Sequence, residues 1–328
     1  MPDTALTPYR FTIEKAITEW LEQKRLRTGS QKTYNAYREN MQSFRLVLAR
    51  GNIDLLDNPT DIQRLVTIWA NTRNGKSRRP GEDVSPSTYN QRLAILSSFY
   101  TFLQEVYHLD IPNPIESVKK RPVQAYAAAS PIEPETVEQG LENINRTSLQ
   151  GLRDYAILAV ALATGRRAHE LVTLTFSHMK ITGGKKEQRV TLTFAHCKGN
   201  KQMRDRLDVE TSAVLLEYLH AQHGKNLLHV LGSTPLWLSY SRQNKGAAIS
   251  AKTLANICEE HLETSKVHAL RHTFAVGMMK SGAPITDLAA RLGHTDIKIT
   301  HTYAKEIMGD ENPYSEKLTA RFGIKRKR

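Results

Sequence analysis

The stretch from His268 to Tyr303 constrains this chain more than any other. It reads His268-Ala-Leu-Arg271-His272-Thr-Phe, then Leu292-Gly293-His294, then Thr302-Tyr303. His268 and Arg271 stand three apart, so a helix puts them on one face. Ile285, Leu288, Ala289 and Leu292 recur at helical spacing and Gly293 is a helix terminator, which leaves His294 in a turn just past a helix end. Tyr303 follows nine residues later, in a second short helical stretch. Two histidines, an arginine and a tyrosine on neighbouring short elements can meet at one phosphate. An anionic transition state requires cationic and hydrogen-bonding donors, and a tyrosine can serve as covalent nucleophile. The same residues also fit a helix-turn-helix, with Gly293 making the turn and a second helix holding Ile297 and Tyr303 in a major groove. The rest of the chain has to decide between the two.

The formal net charge of +13 over 328 residues points to a polyanionic partner, although a ribosomal or membrane-surface protein shares that balance. The length suits two domains, each with its own core. There is no apolar run of membrane-spanning length and no basic-then-apolar leader, so no membrane association is expected. Cys197 and Cys258 are too few for a metal-ligand cluster or a disulfide framework, and the expected compartment is a reducing cytoplasm.

Residues 1–10 read as a flexible lead-in. Residues 11–111 read as a helical domain of four helices. The first carries Ile13, Ile17, Trp20 and Leu21, and the second, capped by Ser30, carries Tyr34, Tyr37, Met41, Phe44 and Leu48. The third begins near Asp61, and the fourth starts at Ser85-Pro86 with proline in its first turn. The loop between the last two is basic, with Lys76, Arg78 and Arg79, and is a candidate for phosphate contacts. Residues 112–131 read as a proline-containing basic linker that includes Lys119, Lys120 and Arg121, suited to following a duplex.

A second domain is expected over 132–328, with a C-terminal tail from about 306. An apolar helix from Tyr155 to Ala163 is interrupted by Thr164-Gly165, and Arg166-Arg167-Ala-His-Glu170-Leu171 opens another. Glu170 lies three residues after Arg167, within reach of its guanidinium. Val190, Leu192 and Phe194 alternate with threonines, as in a half-buried strand, and Lys198-Gly-Asn-Lys201 is a turn signal. Leu207 and Val209 are expected in the returning strand, which puts Lys198 at a hairpin tip. Taken singly, these residues have plain structural uses. Arg167 can simply pair with Glu170, Lys198 can be solvated, and His272, beside Arg271, suits a packed position outside the chemistry.

The order Thr-Gly-Arg-Arg167-Ala-His-Glu170-Leu, then Lys198-Gly-Asn-Lys, then His268-Ala-Leu-Arg271-His, Leu-Gly-His294 and Thr-Tyr303 resembles the tyrosine recombinase, or phage integrase, family. The resemblance runs from residue 11 to about 305. In the first domain it rests on Ser85-Pro-Ser-Thr88-Tyr and Phe99-Tyr-x-Phe-Leu103, which look like the last helix of that family's core-binding domain. The chain departs from the family pattern at Arg166, where an apolar residue is usual, at His169, at Cys197 and at Val267. The first departure leaves Arg166 and Arg167 both open, with Glu170 favouring Arg167.

The resemblance implies a mainly α protein with a small antiparallel β-sheet: a helical core-binding domain followed by an α+β catalytic domain, closing on double-stranded DNA. It implies Arg167, Lys198, His268, Arg271, His294 and Tyr303 as catalytic residues, Glu170 as support for Arg167, and neither a metal nor another cofactor. Recombination joins two duplexes through four cleavages, so a homotetramer on DNA is implied. Leu318, Phe322 and Ile324 of the tail are candidates for docking on a neighbouring protomer or on their own domain. A type IB topoisomerase and a non-catalytic DNA-binding regulator of the same fold are the alternative readings.

Overall fold

The computed structural model describes residues 11–72, 84–123, 131–184, 187–197, 201–293 and 320–322. The chain divides into two compact units, Met1–Gln124 and Ala125–Arg328.

The first unit contains helices α1 (Ile13–Thr28), α2 (Gln31–Arg50), α3 (Pro59–Asn71) and α4 (Pro86–Val106). Each starts where a short polar side chain takes up an otherwise unpaired amide: Thr12, Ser30, Asn58 and Ser85 accept from the first turns. Pro59 and Pro86 occupy the first helical positions, where a missing N–H costs nothing. The apolar stripes meet in an aromatic core. Trp20 stands edge-on to Phe99 with centroids 5.3 Å apart, and Phe44 lies 5.1 Å from Trp69.

Arg92 is buried in this core, and its Nη1 donates to the carbonyls of Trp69, Ala70 and Thr72 at the end of α3. Beyond α4 the chain stays on the same unit. Ile115 is buried, Val118 packs beside it, and the Asn113 amide donates to Ser97. The first part of the segment read as a linker therefore lies against this core. Arg121 is likewise engaged, donating to the Val84 carbonyl at 3.1 Å and to Asn71, with its guanidinium 4.4 Å from the Tyr89 ring centre. Lys119 and Lys120 are exposed.

The second unit is also mainly helical and carries the small sheet. Its elements are α5 (Pro134–Glu142), α6 (Leu149–Thr164), α7 (Ala168–Val172), β1 (Met179–Thr182), β2 (Arg189–Cys197), β3 (Lys201–Arg206), α8 (Val209–His223), α9 (Ala251–Leu262), α10 (His268–Lys280) and α11 (Ile285–Leu292). The strands are antiparallel in the order β1-β2-β3. Val190, Leu192 and Phe194 of β2 are buried on one face, as period-two alternation requires. They join Leu158, Leu215, Leu219, Trp237 and Leu254 in the core.

Two details differ from the sequence expectation. β1 is not anticipated. The returning strand ends at Arg206, and Val209 is helical, because the Asp208 carboxylate accepts from the Thr211 amide and starts α8 there. Leu207 keeps a last ladder bond to the Val190 carbonyl.

Candidate active site

Helix α6 ends at Gly165, whose left-handed backbone (φ 61, ψ 23) closes the last turn by donating to the Ala161 carbonyl. A Cβ at this position would lie 2.3 Å from the Phe274 ring. Glycine is thus required twice, by conformation and by close approach. The sharp exit sends the chain directly into Arg166 and Arg167.

Arg167 is the N-cap of α7. Its backbone N–H donates to Glu170 Oε2 at 2.9 Å, and its Nη1 donates to Oε1 of the same carboxylate at 2.9 Å. Glu170 is buried, so one fixed carboxylate sets both the main chain and the guanidinium of Arg167. The two adjacent arginines diverge. The Arg166 side chain is 2% exposed and points to Asp205, whereas that of Arg167 is 34% exposed. A dissolved phosphate can reach Arg167 and not Arg166.

Arg271 lies in α10 and is buried. Its Nη1 donates to the Gly165 carbonyl at 2.8 Å and its Nη2 to the Leu292 carbonyl at 2.7 Å. Both acceptors sit at helix C-terminal ends, where the partial negative charge of the helix dipole favours a cation. Arg271 thereby joins the ends of α6 and α11 to α10.

His268 opens α10, one turn before His272, and the two rings meet edge to face at 4.7 Å. Although His268 keeps exposed surface, its pKa lies below the ordinary imidazole value. Desolvation by the surrounding protein is the largest cause, followed by the Arg271 and Arg167 charges. Arg167, from far earlier in the sequence, thus shares one electrostatic neighbourhood with His268 and Arg271. Buried His272 is pushed down to about 4, by desolvation first and then by His268 and Arg271.

Lys198, His294 and Tyr303 lie outside the described residues, as do Lys76, Arg78 and Arg79. Among the described residues no group of histidine, cysteine, aspartate and glutamate side chains could hold a metal ion. Sequence reasoning does not single out Asp205, on whose carboxylate Arg166 and Arg291 converge. A signal existed for Asp205. Two residues after Met203 and two before Leu207, it takes the apolar phase of its strand.

Residues 131–308 match the model of the phage integrase family. The tyrosine recombinase XerC of Lactobacillus delbrueckii subsp. bulgaricus is 27% identical over 235 residues, covering 68% of this chain and 73% of that protein. The tyrosine recombinase XerD of Rickettsia bellii is 25% identical over 288 residues, covering 84% of this chain and 89% of that one. The fold is shared with XerH recombinase bound to a palindromic difH substrate, at a TM-score of 0.62 and 15% identity over 98% of this chain and 92% of that one. It is also shared with a lambda integrase tetramer bound to a Holliday junction, at a TM-score of 0.62 and 13% identity over 93% and 81% of the two chains. The family model covers more than half of the sequence, and this chain belongs to the tyrosine recombinase (phage integrase) family, whose members cut and rejoin DNA.

Proposed function

We infer that this chain is a site-specific recombinase that exchanges strands of double-stranded DNA through a 3′-phosphotyrosine and a Holliday junction. The observation that carries the reading is the meeting of Arg167, Arg271 and His268 in one neighbourhood, with Arg167 held by Glu170 and Arg271 held by two helix ends. Tyr303 attacks a backbone phosphorus and expels the 5′-hydroxyl of the next nucleotide. Arg167 and Arg271 take the non-bridging oxygens, for which a planar fork of donors is the right shape. His294 donates a further hydrogen bond. Lys198 gives its proton to the leaving oxygen. His268 takes the proton from the tyrosine hydroxyl, and its lowered pKa suits that task, since a base must be unprotonated at neutral pH. The phosphotyrosine conserves the phosphodiester bond energy, so rejoining requires no nucleotide.

On this reading the first unit is the core-binding domain, the chain acts in the cytoplasm, and four copies assemble on two duplexes. Support for DNA and for assembly comes from the DNA-bound and tetrameric relatives. Among the described residues no helix is long and apolar enough to cross a membrane.

The test is a nicked recombination-site duplex that traps the covalent intermediate. The unaltered chain should give a denaturant-resistant protein–DNA adduct, and Tyr303→Phe should bind the duplex and give none. An adduct that persists in Tyr303→Phe would overturn the assignment.

A further inference from the structure

The reaction as proposed leaves a buried charge cluster unused. Arg166 Nε donates to Asp205 Oδ2 at 2.6 Å, and both side chains are almost wholly buried. The other oxygen of Asp205 accepts from Arg291 Nη1 at 3.2 Å, and Arg291 is 56% exposed. The Arg166 guanidinium lies 5.1 Å from the Phe194 ring centre. Its Nη2 is buried without a hydrogen-bond partner among the described residues. Asp205 stands opposite Leu192 in the β2–β3 register, at an inward position. Close by, a Cβ built on Gly293 would lie 3.6 Å from the Met203 methyl, so β3 passes near the end of α11.

A buried ion pair is a poor way to gain stability, because two apolar side chains of similar volume usually serve as well or better. What the pair has and apolar side chains lack is direction. One carboxylate here orients three pieces of chain. Arg166 belongs to the turn that presents Arg167. Asp205 belongs to the strand that leaves the 198–200 connection. Arg291 adjoins Leu292, whose carbonyl holds Arg271.

The geometry points to Arg166, Asp205 and Arg291 as positioning residues for strand cleavage, acting through Arg167 and Arg271 without touching the phosphate. This rests on the reaction proposed above. The cluster sets the angle between the Arg167 turn, β3 and the last turn of α11. A reacting group displaced by about 1 Å loses on the order of a hundredfold in rate, so small rotations among these pieces are costly.

The experiment exchanges direction for apolar contact. Arg166→Leu with Asp205→Val removes both charges together and leaves no buried ion unpaired. Thermal midpoint, affinity for a site-bearing duplex and single-turnover adduct formation at saturating nicked duplex are measured side by side. The expected result is an unchanged or raised midpoint and unchanged affinity, with adduct formation slowed by about tenfold to a hundredfold. A purely structural role would leave the rate at saturation alone. Adduct formation at the unaltered rate in the folded double variant overturns the proposal. Where that variant does not fold, Arg291→Ala decides, since its side chain is half exposed: slowing by about threefold or more supports the network, and an unaltered rate overturns it. A failure of the unaltered chain to form any adduct overturns the reaction and the network with it. Equal rates in unaltered and variant chains overturn the network alone.

Discussion

Each unit buries an arginine at helix ends, and the two make an instructive pair. Arg92 in the first unit gives Nη1 to three carbonyls at the end of one helix, α3, with its guanidinium 5.4 Å from the Trp69 ring centre. Arg271 in the second unit divides its two terminal nitrogens between two helices, α6 and α11. The physics of stabilisation is common to both: a desolvated cation is tolerated because helix-end carbonyls have acceptor capacity to spare. The company differs. Arg92 is surrounded by aromatic core, whereas Arg271 shares its surroundings with Arg167, His268 and His272. Burial of a charge therefore does not distinguish a site from a scaffold. Convergence of several titratable groups on one spot does.

The strongest way to break this distinction is to replace each arginine by lysine. Arg271→Lys cannot span the Gly165 and Leu292 carbonyls with one nitrogen, and Arg167→Lys loses the planar guanidinium that Glu170 holds by Nη1. Both should slow adduct formation on the nicked duplex by on the order of a hundredfold or more. Near-normal cleavage in either variant would remove that arginine from the reaction. Arg92→Lys should act on stability instead, lowering it by roughly 2 kcal/mol in urea titrations as carbonyl bonds are lost. Adduct formation per folded molecule should stay unchanged. A selective loss of cleavage in Arg92→Lys would erase the contrast between the units.

A smaller effect separates solvated from engaged cations within the first unit. Lys119→Ala with Lys120→Ala should flatten the salt dependence of DNA affinity by up to about two contacts, at roughly 0.9 log units each. Specific and random duplexes should weaken alike, since phosphate contacts position without reading sequence. Arg121→Ala should instead lower the thermal midpoint, because that side chain is spent on Asn71, Val84 and the Tyr89 ring. An anisotropy titration in which Arg121→Ala alone flattens the slope would reverse the assignment.

The smallest effect is on acid stability. His272 stays neutral in the folded chain down to about 4, whereas an unperturbed imidazole takes up its proton near 6.5. The unfolded chain therefore binds the extra proton between those values, and stability is lost as pH falls through that window. His272→Gln cannot titrate, so its unfolding midpoints should decline less steeply there, by up to one proton. Parallel curves for the two chains would show that His272 is not the group concerned.

Local rules made much of the molecule readable. The four helices of the first unit follow from apolar spacing plus Ser30 and Ser85-Pro86, and both serines do cap. The Arg167–Glu170 contact is visible because the two stand three apart on one helical turn. β2 is readable from its alternating apolar residues. What could not be read depends on distant partners. β1 has four residues and no clear alternation, and it becomes a strand by pairing with β2. The Arg166–Asp205 contact spans 39 residues and that of Arg121 with Asn71 spans 50, so the charge run alone groups Arg121 with Lys119 and Lys120 as a DNA contact. Arg271 was legible as a motif residue, but its two carbonyl acceptors carry no side-chain signature at all.

Those two acceptors also set how the second unit breathes. The bond to Gly165 closes a loop of 106 residues and the bond to Leu292 one of 21, both on a single guanidinium. The last turn of α11 cannot fray as an ordinary helix end does without pulling on the end of α6. Native-state hydrogen exchange should therefore place the amides of these two turns in one cooperative opening, with protection high for an eight-residue helix. Cutting the tie at Arg271 would release α11 to exchange on its own, and would turn one opening unit into two.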